Sequence, residues 1–402
     1  MKNHWVKISI LSLILGLIIG VSASFIGYKL IISPRNARQA EQQQRRYESM
    51  LDAQRAEDQR LLNQRAQQLP KSTTDFSKTV LSDNPDDHAL ALLDMVNETK
   101  YIGTLLVVKN GRVIVNQGIG YANAADGQKN GPTTLYQIGS VQKSITAVIV
   151  MQLIQAGKLK LSDPISKFYR GIKGGDAITI RRLLDMHSGL RLTATQDKVL
   201  SDKAIVQFAI QHLSYTHRQT QDYQPVNYVL LAGVIEKLTG NLYATEVQKR
   251  IVRPLKLIHT GFMPGLLQEE NHALAYSGSL DDPYTKVVNW TEVMWNRELG
   301  TGNIYATAGD LFHIEQAITT GKLLTPENVA ILRDSNNGLY GGGVYNYDDY
   351  FVTHGVLGGH EATVVMSHDG KNAVVLMGNH FSNQIQSKPL ATNLYHLVVN
   401  NN

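Results

Sequence analysis

The chain opens on an almost unbroken apolar run. Ile8 to Ile32 reads ISILSLILGLIIGVSASFIGYKLII, with Lys29 as its one charge. About 20 apolar residues cross the hydrocarbon core of a bilayer, so the pattern predicts a membrane-spanning helix within residues 1–34. Lys2 and Lys7 precede it, and Trp5 stands where an interfacial aromatic is expected. A cleaved signal peptide is the rival reading, with Val21-Ser22-Ala23 as its small-residue site. Against it, the apolar run continues through Phe25, Ile26, Leu30, Ile31 and Ile32. From Arg35 to Leu69 the pattern turns polar, rich in Gln, Arg, Glu and Ala, with neither Gly nor Pro. These are good helix formers, but no heptad of apolar positions persists, so a solvated stalk fits better than a coiled coil. Fully helical, it would reach roughly 50 Å. The polar stretch after Pro70 completes a stalk and linker over residues 35–85.

Residues 86–402 read as a folded domain. Leu90, Leu93, Met95 and Val96 give Asp86–Thr99 the spacing of an amphipathic helix. Gly103–Val108 is an apolar strand, Asn110-Gly111 a hairpin turn, and Val113–Val115 the returning strand. Near the far end, Tyr350–Thr353, Ala362–Met366 and Ala373–Met377 predict three more strands, with Asp369-Gly370 turning the last pair. Ser387–Val399 closes as a helix, and the middle, from about Ser140 to Leu332, is mostly helical. Strands from both ends of the chain around a helical middle predict an α/β (α+β) fold on an antiparallel sheet.

Composition narrows the chemistry. The 402 residues contain no cysteine, which removes disulfides, thiolate metal sites, a thiol nucleophile and lipidated-cysteine anchoring. The net charge of +5 is modest for this length. It suits work beside anionic polymers or headgroups, and equally suits solubility alone. The 13 histidines do not cluster with carboxylates at metal spacing. There is no Gly-x-Ser-x-Gly elbow and no Walker-type phosphate loop. Gly341-Gly342-Gly343 lies between Tyr340 and Tyr345 and reads as a strand bend. No cofactor, metal or nucleic-acid partner is expected.

Ser140-Val141-Gln142-Lys143 is the one Ser-x-x-Lys tetrad in the chain. On a helix, positions i and i+3 share a face, so an amine stands beside the hydroxyl. Serine is a weak nucleophile until a base takes its proton, and a lysine whose pKa burial lowers can be that base. Gly139 permits a tight approach to the helix start, where backbone N–H groups converge as an oxyanion hole requires. Spacing alone equally allows Ser140 to be a helix cap with Lys143 in solvent.

The stretches Tyr136–Ser144, Gly157–Pro164 and Ile178–Leu190, with Tyr223–Gly240 and Gly302–Thr307, resemble the serine β-lactamase-related group over roughly residues 86–400. That group includes class C β-lactamases, DD-peptidases and related esterases. The resemblance implies a β-lactamase/transpeptidase-like fold, with Ser140 as nucleophile, Lys143 as base and Tyr223 as proton relay. It also implies His354-Gly355-Val356-Leu357 as the third motif, with His354 offering a cation or donor to the substrate. Val356 then stands where the group has glycine, and the Leu357 N–H completes the oxyanion hole with that of Ser140. Pro225 occupies the place of the asparagine in Tyr-x-Asn, so a side-chain contact to the substrate amide is missing and Asn227 is the nearest substitute. Asn303 sits in a cleft-wall segment and is expected to touch substrate, and His187-Ser188-Gly189 reads as a structural bend. These altered motifs look most like envelope D-alanyl esterases of teichoic acids. The expected reading is a single-pass membrane protein with an extracellular hydrolase domain acting on D-alanylated teichoic acid. A DD-carboxypeptidase acting on peptidoglycan stem peptides is the nearest alternative. An inactive wall-binding protein of the same fold is the alternative from another class.

Overall fold

The computed structural model describes residues 75–400, apart from 218–219, 335–338 and 383, together with the isolated positions 42 and 45. The expected anchor over 1–34 and, apart from positions 42 and 45, the stalk up to residue 74 lie outside the described residues. Among the described residues, no helix is long and apolar enough to cross a membrane.

The domain is built on one eight-stranded antiparallel sheet. Its strands are β1 (Val80–Leu81), β2 (Gly103–Lys109), β3 (Arg112–Ile119), β4 (Tyr340–Gly341), β5 (Val344–Asn346), β6 (Tyr350–Leu357), β7 (His360–Ser367) and β8 (Ala373–Gly378). Their order across the sheet is β1-β3-β2-β8-β7-β6-β5-β4. The two ends of the chain meet where β2 pairs β8, with Leu105 opposite Leu376 and Val107 opposite Val374.

Strand alternation explains why β2, β7 and β8 are apolar at consecutive positions. Leu105, Val107, Val352, Val365, Val374 and Leu376 face one layer, which is covered by helices α1 (Ala89–Glu98) and α5 (Ser387–Asn400). Leu106, Val108, Phe351, Val364, Met366, Val375 and Met377 face the helical body. That body includes α2 (Gln142–Gln155), α3 (Val226–Thr239) and α4 (Ala308–Thr319). Helix α2 is buried on every side from Gln142 to Met151, its first turn through polar side chains and the rest mostly through apolar ones.

The expected strands and both terminal helices are present. Two features go beyond the pattern. The packing reaches back into the segment read as linker: Phe76 packs on Phe312 with ring centroids 5.4 Å apart, and β1 pairs β3. A three-stranded sheet of Tyr136–Gln137, Ile304–Ala306 and Gly261–Phe262 ties the residues just before Ser140 to those just after Asn303.

Candidate active site

Gly139 takes a left-handed backbone (φ 51°) and starts the tight turn Gly139–Val141 that runs into α2. Glycine adopts that conformation at little cost, so the chain turns sharply and Ser140 emerges at the helix start. One turn on, Lys143 is almost fully buried (1% exposed), and its Nζ lies 2.7 Å from Ser140 Oγ. Lys143 Nζ also donates to the Thr301 carbonyl at 3.2 Å. The cap reading with a solvated lysine is therefore wrong: the amine is held on the hydroxyl.

The same Nζ sits 5.3 Å from the centre of the Tyr223 ring. Tyr223 in turn packs edge-on against Tyr340, centroids 5.3 Å apart. Gln221 fixes this stretch by donating to the carbonyls of Asp185 and Tyr340. Hydroxyl, amine and phenol thus converge on one place from α2 and the loop before α3. Tyr223 is 38% exposed, so it faces the open side while Lys143 forms the floor.

Strand β6 closes the other side, and here the expected register shifts by one. A Cβ on Gly355 would lie 2.5 Å from Ser140 N and 2.3 Å from Ile138 O. Glycine is therefore required at 355, where strand and nucleophile turn touch, and not at 356. Side chains alternate along β6, so Thr353 and Gly355 face the nucleophile while His354 and Val356 face the layer under α5. His354 Nδ1 meets Thr363 Oγ1 at 2.9 Å, and its Nε2 lies 3.7 Å from Glu361. Burial, reinforced by Lys388, lowers its pKa to about 4. His354 is neutral at pH 7 and offers the nucleophile's side no cation. Val356 does not crowd the cleft, because its side chain points the other way.

The second amide moves as well. Gly358 and Gly359, with φ 55° and 91°, make a two-residue turn between Leu357 and His360. A primed turn of this kind makes its closing pair hydrogen-bond mutually. That occupies the Leu357 N–H. Tyr350 shows the complementary parity, since its carbonyl accepts from Tyr347 N on the opposite edge. Even-numbered residues of β6 thus turn their N–H groups away from β7. Val356 N is accordingly the amide beside the nucleophile, 3.1 Å from where a Gly139 Cβ would be. The amides of Ser140 and Val356, not Leu357, form the pair suited to a developing oxyanion.

Other expected residues take structural parts. Asn227 is fully buried; it accepts from Ser188 Oγ at 2.5 Å and donates to Gln224 O at 3.0 Å. Its amide is consumed in bracing the bend at His187-Ser188-Gly189, so it does not replace the missing asparagine. Pro225 simply leads into α3. Asn303 Oδ1 accepts from Gln142 Nε2 at 2.9 Å, and Gln142 Oε1 accepts from Ile304 N. Asn303 is thus locked to the residue before Lys143.

Sequence reasoning missed Gln142, which shares the polar first turn of α2 with Lys143 and Ser144 and so does not stand out. It also missed Gly343, whose Cβ would lie 2.4 Å from Ser144 N. Behind the helix, Ser144 Oγ donates to Glu315, whose other oxygen lies 3.7 Å from Arg333. Arg333 stacks 4.4 Å from the Phe351 ring on β6. Glu315 is fully buried, and the Arg333 side chain is 9% exposed. Burial pushes the Glu315 carboxyl up, and the facing Arg333 opposes that shift. The pair ties α2, α4 and β6 together beneath the nucleophile.

The family model that matches this chain is Beta-lactamase, over residues 94–392. The chain belongs to the beta-lactamase family. Its members are serine hydrolases, and this chain is one. PbpX of Bacillus subtilis (strain 168) is 28% identical over 297 residues, 73% of this chain and 74% of PbpX. The teichoic acid D-alanine hydrolase of Staphylococcus aureus (strain MRSA252) is 30% identical over 226 residues, 56% of each chain. This chain thus spans little more than half of that relative's length. Among solved structures, FmtA from Staphylococcus aureus superposes with a TM-score of 0.72 at 24% identity, covering 86% of this chain and 96% of FmtA. A D-amino acid amidase from Ochrobactrum anthropi SV3 gives 0.66 at 20% identity, covering 78% and 98%.

Proposed function

We propose that the protein hydrolyses D-alanyl esters of teichoic acids at the outer face of the cell envelope, through an acyl-enzyme on Ser140. The Ser140–Lys143 contact at 2.7 Å carries this reading. Ser140 Oγ attacks the ester carbonyl while its proton passes to the Lys143–Tyr223 pair. The oxyanion forms against the N–H groups of Ser140 and Val356. The polyol oxygen leaves with a proton from Tyr223, giving a D-alanyl-serine ester. Water, deprotonated by the same pair, then releases D-alanine and returns the proton to Ser140.

Two features favour an ester over a peptide. Pro225 supplies no side-chain donor where a substrate amide would be held. An alkoxide also leaves more readily than an amine, so a weakened second motif costs less. The teichoic acid D-alanine hydrolase among the relatives supports the same substrate class, and the apolar run Ile8–Ile32 supports a tethered, outward-facing domain.

The test incubates the full chain, in detergent, with D-alanylated lipoteichoic acid and separately with muropeptides ending in D-Ala-D-Ala. Free D-alanine is measured from each. Release from lipoteichoic acid, abolished by Ser140→Ala, is the expected result. Release from muropeptides alone overturns the esterase reading in favour of a DD-carboxypeptidase.

A further inference from the structure

Resting on the D-alanyl esterase reading, the geometry points to a subsite for the acyl group's amine, and we propose that Glu298 is its anchor. The acyl half of a D-alanyl ester carries a free α-amine, which is largely protonated at neutral pH (α-amino pKa about 7.7–8.0). In a stem peptide the corresponding nitrogen is an uncharged amide. A site built for the ester therefore needs an anion beside the nucleophile, and one built for the peptide does not.

The cleft wall from Trp290 to Gly302 supplies it. Both ends of this segment are pinned to the reaction centre. Trp290 packs on the β6–β7 turn so closely that a Cβ on Gly358 would fall inside its indole ring. At the other end, the Thr301 carbonyl accepts from Lys143. Trp295 and Leu299 are buried and hold the stretch between. Glu298 sits within it, partly exposed.

A Cβ built on Gly302 would lie 3.2 Å from Glu298 Oε2 and 3.5 Å from the Cα and carbonyl carbon of Gly139. The carboxylate is thus about one methyl group away from the residue that precedes the nucleophile. Thr301 Oγ1 donates to Oε2 at 2.6 Å and orients the carboxylate. Glu298 has no ion-pair partner among the described residues. An ammonium on the carbon next to the acyl carbonyl is the cation such a group would receive. A charge-assisted bond of this kind strengthens binding of the free amine over its acylated analogue.

The test measures hydrolysis of D-alanine methyl ester and N-acetyl-D-alanine methyl ester by the full-length wild-type protein, Glu298→Gln and Glu298→Asp. The wild type should prefer the free amine. Glu298→Gln should reduce that preference about 10- to 100-fold, chiefly through KM for the free amine, and Glu298→Asp should restore part of it. If Glu298→Gln slows both esters equally, or leaves the preference unchanged, the subsite is refuted while the hydrolase reading stands. If the wild type cleaves neither ester, the D-alanyl esterase reading falls, and this subsite with it.

Discussion

Replacing Gly355 by alanine tests the contact on which the site geometry turns. The added methyl would lie 2.3 Å from Ile138 O, 2.5 Å from Ser140 N and 2.9 Å from Gly139 C. All three are backbone atoms, so no rotamer change relieves the clash. Ordinary carbon contacts begin near 3.5 Å, so β6 and the nucleophile turn must separate by about 1 Å. Overpacking of this kind costs roughly 1–3 kcal/mol of stability, which leaves the protein folded at 25 °C. The catalytic cost is larger, because the Ser140 and Val356 amides no longer converge. Loss of one oxyanion donor lowers kcat about 10²- to 10³-fold. The assay is hydrolysis of a chromogenic ester, with thermal unfolding followed by circular dichroism to confirm folding. His354→Ala is the paired control, because that side chain faces the other layer, and it should stay within about 5-fold of wild type. Near-normal turnover by Gly355→Ala would refute the contact. An equal loss in His354→Ala would refute the register.

Lys143→Met should lower kcat by about 10³-fold or more with little change in KM, since the base acts on the transition state; single-turnover kinetics check this. Glu315→Gln should destabilise the fold by roughly 3–5 kcal/mol, because it leaves Arg333 as an uncompensated buried cation. Glu315→Leu with Arg333→Met should recover much of that loss in a urea titration. His354 and His360 both have pKa values lowered to about 4 by burial. The unfolded chain binds their protons near pH 6.5, so their stabilising contribution is present above that pH and is lost as pH falls towards 4. The slope should approach 1.4 kcal/mol per pH unit for each histidine. Urea midpoints between pH 7 and 5 measure it, and His360→Phe should flatten the dependence.

Much of this site was readable from the sequence because its chemistry is local. Ser140 and Lys143 lie three residues apart at a helix start, a spacing that can bring the amine to the hydroxyl's face, and the neighbouring motifs favour that over a cap with a solvated lysine. The central strands β2, β8 and β7 are equally plain, since both faces of the sheet are covered there and each strand becomes an apolar run. The third motif was less legible. His354-Gly355-Val356-Leu357 does not say which residue faces the nucleophile, because strand parity is set by the Gly358-Gly359 turn and by pairing with β7. A shift of one exchanges His354 for Gly355 and Leu357 for Val356. The role of Asn227 is illegible for a different reason: its availability depends on Ser188, 39 positions away in sequence. The Glu315–Arg333 pair gave no local signal, because its meaning lies in Ser144 and Phe351, which reach it only in the folded chain.

On the proposed function, Ser140 carries the acyl group. Full-length protein would be mixed with D-alanylated lipoteichoic acid, quenched in acid within a turnover, digested and mapped by mass spectrometry. A single D-alanyl adduct on the peptide containing Ser140, absent in Ser140→Ala, is the predicted result. Steady release of D-alanine by the Ser140→Ala protein, or an adduct on another residue, would contradict it.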